Sequence, residues 1–148
     1  MRFEHQIPIQ VHYHEVDGQG RVHHAQYLNY LERGRVDMLR ASGISYREIE
    51  ETGILLVVRN MNIQFHAPAV FDDLLTLRIR LHYCHGARVE HHYHLVRPRS
   101  DSNEVGNQED LIVSAQSVIA SIDRTGRVRR LPSVLQLNIR PSEGIGNE

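Results

Sequence analysis

The 148-residue sequence has only one cysteine, Cys84, and no long run of hydrophobic residues. A single cysteine cannot form a disulfide within the chain, which fits a reducing compartment. No stretch approaches the roughly 20 apolar residues of a membrane-spanning helix, and the N-terminus lacks the apolar segment of a signal peptide. These absences predict a soluble, cytoplasmic protein.

A strong excess of charge of either sign is also missing. The 17 basic and 18 acidic residues give a formal net charge of −1. Neither nucleic acid nor an anionic membrane surface is therefore favoured as a partner. Internal repeats and linkers are absent too, and the length is that of one domain. We expect a single domain over residues 1–148, with a mobile loop at 97–109 and a tail at 133–148.

The hydrophobic periodicity predicts an α+β fold. Alternation of apolar and polar residues is typical of strands, and a repeat of three to four residues is typical of a helix. Strands are predicted at residues 6–15, 54–66 (with a bulge as the alternative to one straight strand), 74–84, 88–96 and 110–123. Helices are predicted at residues 25–42 and 45–52. One long helix on a five-stranded antiparallel sheet accounts for this order, with residues 110–123 expected to form the central strand.

The long helix carries a glycine on its apolar stripe. The stripe contains Tyr27, Tyr30 or Leu31, Gly34, Met38 and Ala41, widened by Leu28 and Leu39. Gly43 is a natural helix end, because glycine accepts the left-handed conformation. A mid-helix glycine costs roughly 1 kcal/mol relative to alanine. We therefore expect another element to approach the helix axis closely at Gly34.

The 11 histidines raise the question of a metal site. Histidines, Cys84 and Glu90 lie within residues 82–94, and these are zinc-ligand types. A three-residue hairpin loop at 85–87 aligns the apolar faces of the flanking strands. That register pairs His82 with Glu90, Arg80 with His92 and Arg78 with His94. Because the two arginines would repel a cation, we predict a polar sheet face and no metal.

His12, His14 and Cys84 are also predicted to have no role as metal ligands or nucleophiles. His12 and His14 are predicted to lie on the polar face of the first strand. Cys84 has no helix N-terminus near it in sequence that would activate a thiol, so it is predicted to be inert.

The segment DGQGRVHHAQY, residues 17–27, is different because a strand ends, the chain turns through two glycines, and a helix begins near His24 or Ala25. The first turn of a helix has free backbone N–H groups and a partial positive charge, which stabilise an oxyanion. A nearby carboxylate, Asp17, can attack or activate water in hydrolysis of an ester or thioester. On spacing alone, the simpler alternative is favoured: Asp17 as a turn residue and His24 as a helix cap.

The segment YHEVDGQGRVHHAQYLNYLERGRVDMLR resembles the hot-dog-fold acyl-CoA thioesterases of the 4-hydroxybenzoyl-CoA thioesterase type. It is most similar to the branch that includes the Tol-Pal-associated thioesterases. The resemblance continues through VVRNMNIQFHAPAVFDDLLTLRIRL (57–81), with its APA-x-x-DD-L turn, and more weakly through IDRTGRVRRLP (122–132). It therefore covers most of the chain.

The resemblance implies a hot-dog fold and hydrolysis of acyl-CoA to a free acid and CoA, without metal or organic cofactor. Asp17 matches the catalytic carboxylate, as nucleophile or general base. His24 matches the histidine at the helix start, whose backbone N–H would polarise the carbonyl. Tyr27 matches a tyrosine that lines the acyl pocket. The fold also implies a homodimer or homotetramer, with sites formed between subunits.

Three residues depart from the pattern of this family. Glu15 stands where aspartate is common, Gln19 replaces a small residue, and His23 replaces an aromatic one. We interpret these as pocket-lip positions, which leaves acyl specificity open, and we expect His23 to bind substrate. Arg59 is a candidate contact for CoA, with a solvated strand arginine as the equal alternative.

Two alternative functions remain at this point. One keeps the fold but changes the carrier or the reaction, to acyl-carrier-protein thioesters or to hydration of an enoyl thioester. A basic patch could dock an acidic carrier protein, and consists of Arg124, Arg127, Arg129 and Arg130. The other alternative is a non-catalytic protein that binds acyl-CoA.

Overall fold

The computed structural model describes residues 3–99 and 108–136. Its five strands are β1 (Glu4–Gln10), β2 (Ile54–Phe65), β3 (Leu74–His85), β4 (Arg88–Pro98) and β5 (Glu109–Asp123). Its two α-helices are α1 (His24–Ala41) and α2 (Tyr46–Glu51). The predicted α+β class, with one long helix and a five-stranded antiparallel sheet, is confirmed.

The strand order in the sheet is β1-β3-β4-β5-β2. Strand β5 lies inside the sheet, between β4 and β2, but the middle position belongs to β4. The prediction that residues 110–123 form the central strand was therefore wrong by one place. The reason is topological, because β1 adds to the outer side of the β3–β4 hairpin while β2 adds to the outer side of β5. Small side chains on both faces mark an interior strand but do not say which one.

Helix α1 lies across one face of the sheet, and Gly34 is where it comes closest. A Cβ built at Gly34 would lie 2.6 Å from Cδ2 of Leu77 on β3. The expected close approach is confirmed. The buried stripe differs from the predicted one at its margins, since Leu28 and Ala41 are exposed and Arg35 is buried.

The first strand is shorter than predicted. It ends at Gln10, and Tyr13–Glu15 form a 3₁₀ turn. Val11 still exchanges backbone hydrogen bonds with Asp72 and Asp73, but these residues belong to the turn before β3, where Asp73 N–H donates to the carbonyl of Val70 and the regular ladder ends. Tyr13 is consequently exposed and not on a buried strand face.

The β3–β4 register matches the prediction at one end only. Arg78 pairs with His94 and Arg80 with His92, as predicted, but Tyr83 and not His82 faces Glu90. A bulge between Leu81 and Tyr83 shifts the register by one residue, because it inserts an extra residue into β3. The hairpin loop is therefore two residues, Gly86 and Ala87, instead of three.

The remaining elements agree with expectation. Strand β2 is one strand with a register shift at Arg59, and α2 begins with the predicted capping box of Ser45 and Glu48. No helix within residues 3–99 or 108–136 is long and apolar enough to cross a membrane.

The loop and tail predicted at 97–109 and 133–148 fall largely beyond the described residues. Residues 100–107 and 137–148 lie outside them. Where the prediction can be compared, β4 continues to Pro98 and β5 begins at Glu109, so both ends of the predicted loop are strand. The start of the predicted tail, Ser133–Leu135, forms a 3₁₀ turn with Leu135 buried.

Candidate active site

The segment between β1 and α1 forms a miniature hairpin. Val16 pairs with Val22, and the backbone N–H of Asp17 donates to the carbonyl of Arg21 at 2.8 Å. The backbone N–H of His23 donates to the carbonyl of Glu15 at 2.9 Å. Helix α1 starts directly after the second arm, on which Arg21, the partner of Asp17, lies three residues before His24.

Asp17 closes the turn with one of its two carboxylate oxygens. Oδ1 accepts hydrogen bonds from the backbone N–H groups of Gln19 at 2.8 Å and Arg21 at 3.4 Å. Gly20 completes the turn with a φ of 77°, a conformation that glycine adopts without strain. Among residues 3–99 and 108–136, none donates a hydrogen bond to Oδ2. The turn role is therefore correct, and it leaves one oxygen available for chemistry.

A second turn in the same chain shows what distinguishes Asp17. Asp123 makes the same bonds, from its Oδ1 to the N–H groups of Thr125 at 2.9 Å and Arg127 at 3.1 Å. Its Oδ2, however, is paired with Arg129 at 2.9 Å. The two turns share the sequence Asp-x-x-Gly-Arg, but only Asp123 has both carboxylate oxygens committed to the structure of the described residues.

The helix start leaves one backbone donor free. The side chain of His23 accepts a hydrogen bond from Ala25 N–H at 3.1 Å, and its carbonyl accepts from Gln26 N–H at 2.9 Å. The N-cap is therefore His23 and not His24, which corrects the alternative reading of His24 as the cap. Within the described part of the chain, no acceptor faces the N–H of His24. The two exposed imidazole rings stack with centroids 4.1 Å apart.

Tyr27 lies in the core beneath this surface. Its ring is 4 % exposed and lies 5.6 Å from the ring of Phe65, which is itself 56 % exposed. Burial raises the pKa of the Tyr27 hydroxyl, against the opposing effect of the Ala69 backbone. Phe65 thus forms an exposed aromatic cover over the predicted pocket tyrosine.

Glu15 is not a pocket-lip residue, because its side chain is buried. Its Oε1 accepts hydrogen bonds from the hydroxyl of Tyr30 at 3.0 Å and from the backbone N–H of His12 at 2.7 Å. Burial, and then this bond to Glu15, raises the pKa of Tyr30. Sequence reasoning missed the pair. No local pattern marked it, because Glu15 lies on the 3₁₀ turn after β1 and the preceding odd-numbered residue, Tyr13, is exposed.

His14 lies on the 3₁₀ turn and His12 directly precedes it, so both are exposed but neither is on a strand face. With Glu15 they form the only group of three potential metal ligands among the described residues, with ligand atoms within 4.8 Å of one another. An oxygen of Glu15 is already occupied by Tyr30 and His12 N–H. In the region first considered for zinc, the rings of His82 and His92 stack at 4.1 Å.

Three other predictions concern residues away from this hairpin. Arg59 lies six residues along β2 from Phe65, which is about 20 Å at the rise of an extended strand. In the predicted basic patch, Arg129 is paired with Asp123, and Arg124 donates to the Glu50 carbonyl at 3.3 Å. Cys84 is buried, and its Sγ donates to the Leu135 carbonyl at 3.0 Å.

Two grooves of the single chain lie away from the hairpin. One of about 590 Å³ is on the outer sheet face, near Arg80 and His92. Another, of about 640 Å³, runs beside the middle of α1, near Asn29 and Arg33. Neither is lined by Asp17 or His24. Asp17 is half-buried and His24 is exposed, so the free groups at the hairpin lie at the surface of the single chain.

The sequence of this chain is similar to those of known thioesterases. The chain is 35% identical over 74 residues to the acyl-CoA thioester hydrolase YbgC of Escherichia coli, which is 50% of this chain and 55% of that protein. It therefore spans about half the length of this relative. It is 26% identical over 132 residues to the acyl-acyl carrier protein thioesterase ATL3 of Arabidopsis thaliana, covering 89% of this chain and 65% of that one.

The fold has solved counterparts. A probable thioesterase from Bartonella henselae superimposes with a TM-score of 0.74 and 33% identity, over 87% of this chain and 99% of that chain. This match confirms the predicted hot-dog fold. The profile of the thioesterase-like superfamily matches residues 11–139, which include the whole hairpin and α1. The chain belongs to the thioesterase-like superfamily.

Proposed function

We propose that this protein hydrolyses acyl-CoA thioesters to a free acid and CoA. Membership of the superfamily and the names of its relatives support the reaction class. The proposal is carried by two groups that no described residue binds. They are Oδ2 of Asp17 on the hairpin and the N–H of His24 at the start of α1, directly after the hairpin.

The two groups have complementary tasks. The N–H of His24, with the positive end of the helix, binds the thioester carbonyl oxygen as it becomes negative. Asp17 either attacks the carbonyl carbon or removes a proton from an attacking water. In the hairpin, Asp17 is bonded to Arg21 and Glu15 to His23, so the turn with Asp17 and the start of α1 are the two ends of one short arm.

Both routes balance with water as the only co-reactant. In the general-base route, the new C–O bond comes from water, the C–S bond breaks, and the proton passes from Asp17 to the leaving thiolate. In the nucleophilic route, the C–S bond breaks as an acyl–Asp17 anhydride forms, and water then cleaves that anhydride. Each route ends in one carboxylic acid and one CoA thiol, and neither needs a metal.

A second subunit is part of the proposal. The site is open in one chain, and β2 is an edge strand with Val57, Val58 and Phe65 exposed. Pairing of two β2 edges would extend the sheet and cover these side chains. Arg59 lies about 20 Å along β2 from its own Phe65, on the edge that would face the partner's β2. We therefore assign it to the CoA bound at the partner's hairpin.

The carrier is the open alternative, because one relative is named for acyl-carrier-protein substrates. The basic patch offers less charge than the sequence suggests, since Arg129 is paired with Asp123. We therefore favour CoA. Parallel assays with acyl-CoA and acyl-carrier-protein separate the two, because each releases a free thiol.

The test is free-thiol release from a panel of short, long and aromatic acyl-CoAs, with wild type beside Asp17→Asn. Asparagine keeps the Oδ1 acceptor, so the turn is preserved, and the rate should fall by at least about 10²-fold. Asp123→Asn is the matched control, because it makes the same change in the twin turn, and it should retain full activity. Thermal stabilisation by acyl-CoA without turnover would instead support a binding protein, and full activity in Asp17→Asn would refute the mechanism.

A further inference from the structure

We infer that Glu15 is a positioning residue, which holds the Asp17 turn and the start of α1 in their working arrangement through its bonds to Tyr30, His12 and His23. The inference rests on the proposed function of the hairpin. It adds a residue that does not contact substrate. The sequence comparison had instead suggested that Glu15, where the family often has aspartate, lies at the pocket lip.

Three hydrogen bonds meet at Glu15. Its carboxylate accepts from the hydroxyl of Tyr30 and from the backbone N–H of His12. Its carbonyl accepts from the N–H of His23, the residue that caps α1. One residue therefore ties together the exit from β1, the body of α1 and the first turn of that helix. Asp17 is only two residues further along.

The burial of these groups makes the connection stiff. Glu15 is 6 % exposed and Tyr30 is 0 % exposed. A buried carboxyl group is tolerated only when hydrogen bonds replace its lost water. Moving the hairpin relative to α1 would break the bond between Glu15 and Tyr30 and leave the buried Tyr30 hydroxyl without its acceptor. The arrangement is therefore strongly preferred over neighbouring ones.

The length of the side chain matters for the same reason. Aspartate is shorter by one C–C bond, about 1.5 Å. With the backbone in place, an aspartate at position 15 would not reach the Tyr30 hydroxyl, which lies 3.0 Å from Oε1 of Glu15. Glutamate at this position thus creates a contact with the interior of α1 that the shorter residue cannot make.

Kinetics of four variants test the inference, measured as kcat per folded molecule well below the unfolding temperature. Glu15→Leu removes both side-chain bonds and should lower kcat by about 10²-fold, the cost of misplacing catalytic groups by about 1 Å. KM should change little. Tyr30→Phe removes one bond and should cost less. Glu15→Gln keeps an acceptor for both donors and should restore most of kcat.

Tyr93→Phe is the matched control. It also removes a buried tyrosine hydroxyl next to α1, where Arg35 donates to the Tyr93 oxygen at 3.2 Å and Ser117 lies 2.7 Å away. We expect Tyr93→Phe to lower the unfolding temperature without lowering kcat. The inference is overturned if Glu15→Leu behaves like this control. It is also overturned if Glu15→Gln is as slow as Glu15→Leu, since the charge and not the geometry would then act.

The same series separates this inference from the proposed function. An inactive Asp17→Asn beside a fully active Glu15→Leu would retain Asp17 and reject the role of Glu15. A fully active Asp17→Asn beside a slow Glu15→Leu would reject the role of Asp17. Glu15 would then position only the start of α1.

Discussion

Gly34 of α1 lies so close to Ile79 of β3 that a Cβ at position 34 would be 2.4 Å from Cδ1 of Ile79. Leu77 and Ile79 are 0 % and 2 % exposed, so their side chains have no solvent to move into. The glycine therefore sets how closely the helix approaches the sheet, and with it the position of the whole helix.

Gly34→Ala should consequently destabilise the protein. Overpacking of a core costs about 1–3 kcal/mol, while alanine regains up to about 1 kcal/mol of helix propensity. We expect a net loss of about 1 kcal/mol in the free energy of unfolding, measured by urea denaturation. Arg33→Ala, at the neighbouring exposed position, is the control and should be neutral. A gain in stability for Gly34→Ala would show that the sheet yields easily.

His23 should have two separable roles, as helix cap and as substrate contact. His23→Ala removes the acceptor for Ala25 N–H, and loss of an N-cap costs about 1 kcal/mol. Asparagine is a good N-cap, so His23→Asn should restore stability. If His23 also contacts substrate, KM for acyl-CoA should rise in both variants. Unchanged KM in His23→Asn would leave His23 as a cap only.

His91 should make the protein less stable in acid. Burial first, and then the charge of Arg35 and the neighbouring His92, lower the pKa of His91 from 6.5 to about 3. The unfolded chain therefore takes up a proton between pH 6.5 and 3 that the folded chain refuses. Stability should fall as pH drops through this window, by up to about 1.4 kcal/mol per pH unit.

His91→Leu isolates this effect, and it also removes a buried Nδ1 that lacks a hydrogen-bond partner among the described residues. The measurement is the free energy of unfolding of both proteins at pH 7.5, 6.5, 5.5 and 4.5. Other acid-sensitive groups contribute equally to both proteins and cancel in the difference. The difference should be constant above pH 6.5 and should shift in favour of the variant below it. A constant difference throughout would mean that His91 can be protonated in the fold.

Arg59 tests the proposed dimer. If Arg59 binds CoA at the partner's site, Arg59→Ala should raise KM for acyl-CoA about 2- to 5-fold, the value of an exposed charge pair, and leave kcat unchanged. Arg47→Ala on α2, where the side chain is 89% exposed, is the control. Sedimentation should show a multiple of the 17.1 kDa chain. A monomer with normal activity would contradict both the dimer and this role.

Local chemistry made several features predictable from the sequence. The helix at residues 25–42, the capping box at Ser45, the close approach at Gly34 and the turn at Asp17 all follow from side-chain periodicity or from residues with special backbone preferences. The family resemblance added the hot-dog fold, and it directed attention to the hairpin before α1.

Long-range pairing made the other features unpredictable. The first strand stops at Gln10 because its partner strand β3 begins only at Leu74, after a turn through Asp72 and Asp73 that is more than 60 residues away in sequence. The bulge at His82 moved Glu90 opposite Tyr83, because a single inserted residue changes the register of all that follows. Neither event leaves a mark in the local alternation.

In the candidate site, too, some features follow from the local sequence and others from long-range contacts. The sequence by itself determined that a carboxylate and a helix start would be neighbours, since only six residues separate Asp17 from His24. Only the tertiary structure decided that Oδ2 of Asp17 is left free while the equivalent oxygen of Asp123 is paired with Arg129. It also decided that Glu15 is buried against Tyr30. Hydrogen-bond partners depend on which elements meet in space, and that meeting is set by the packing of α1 on the sheet.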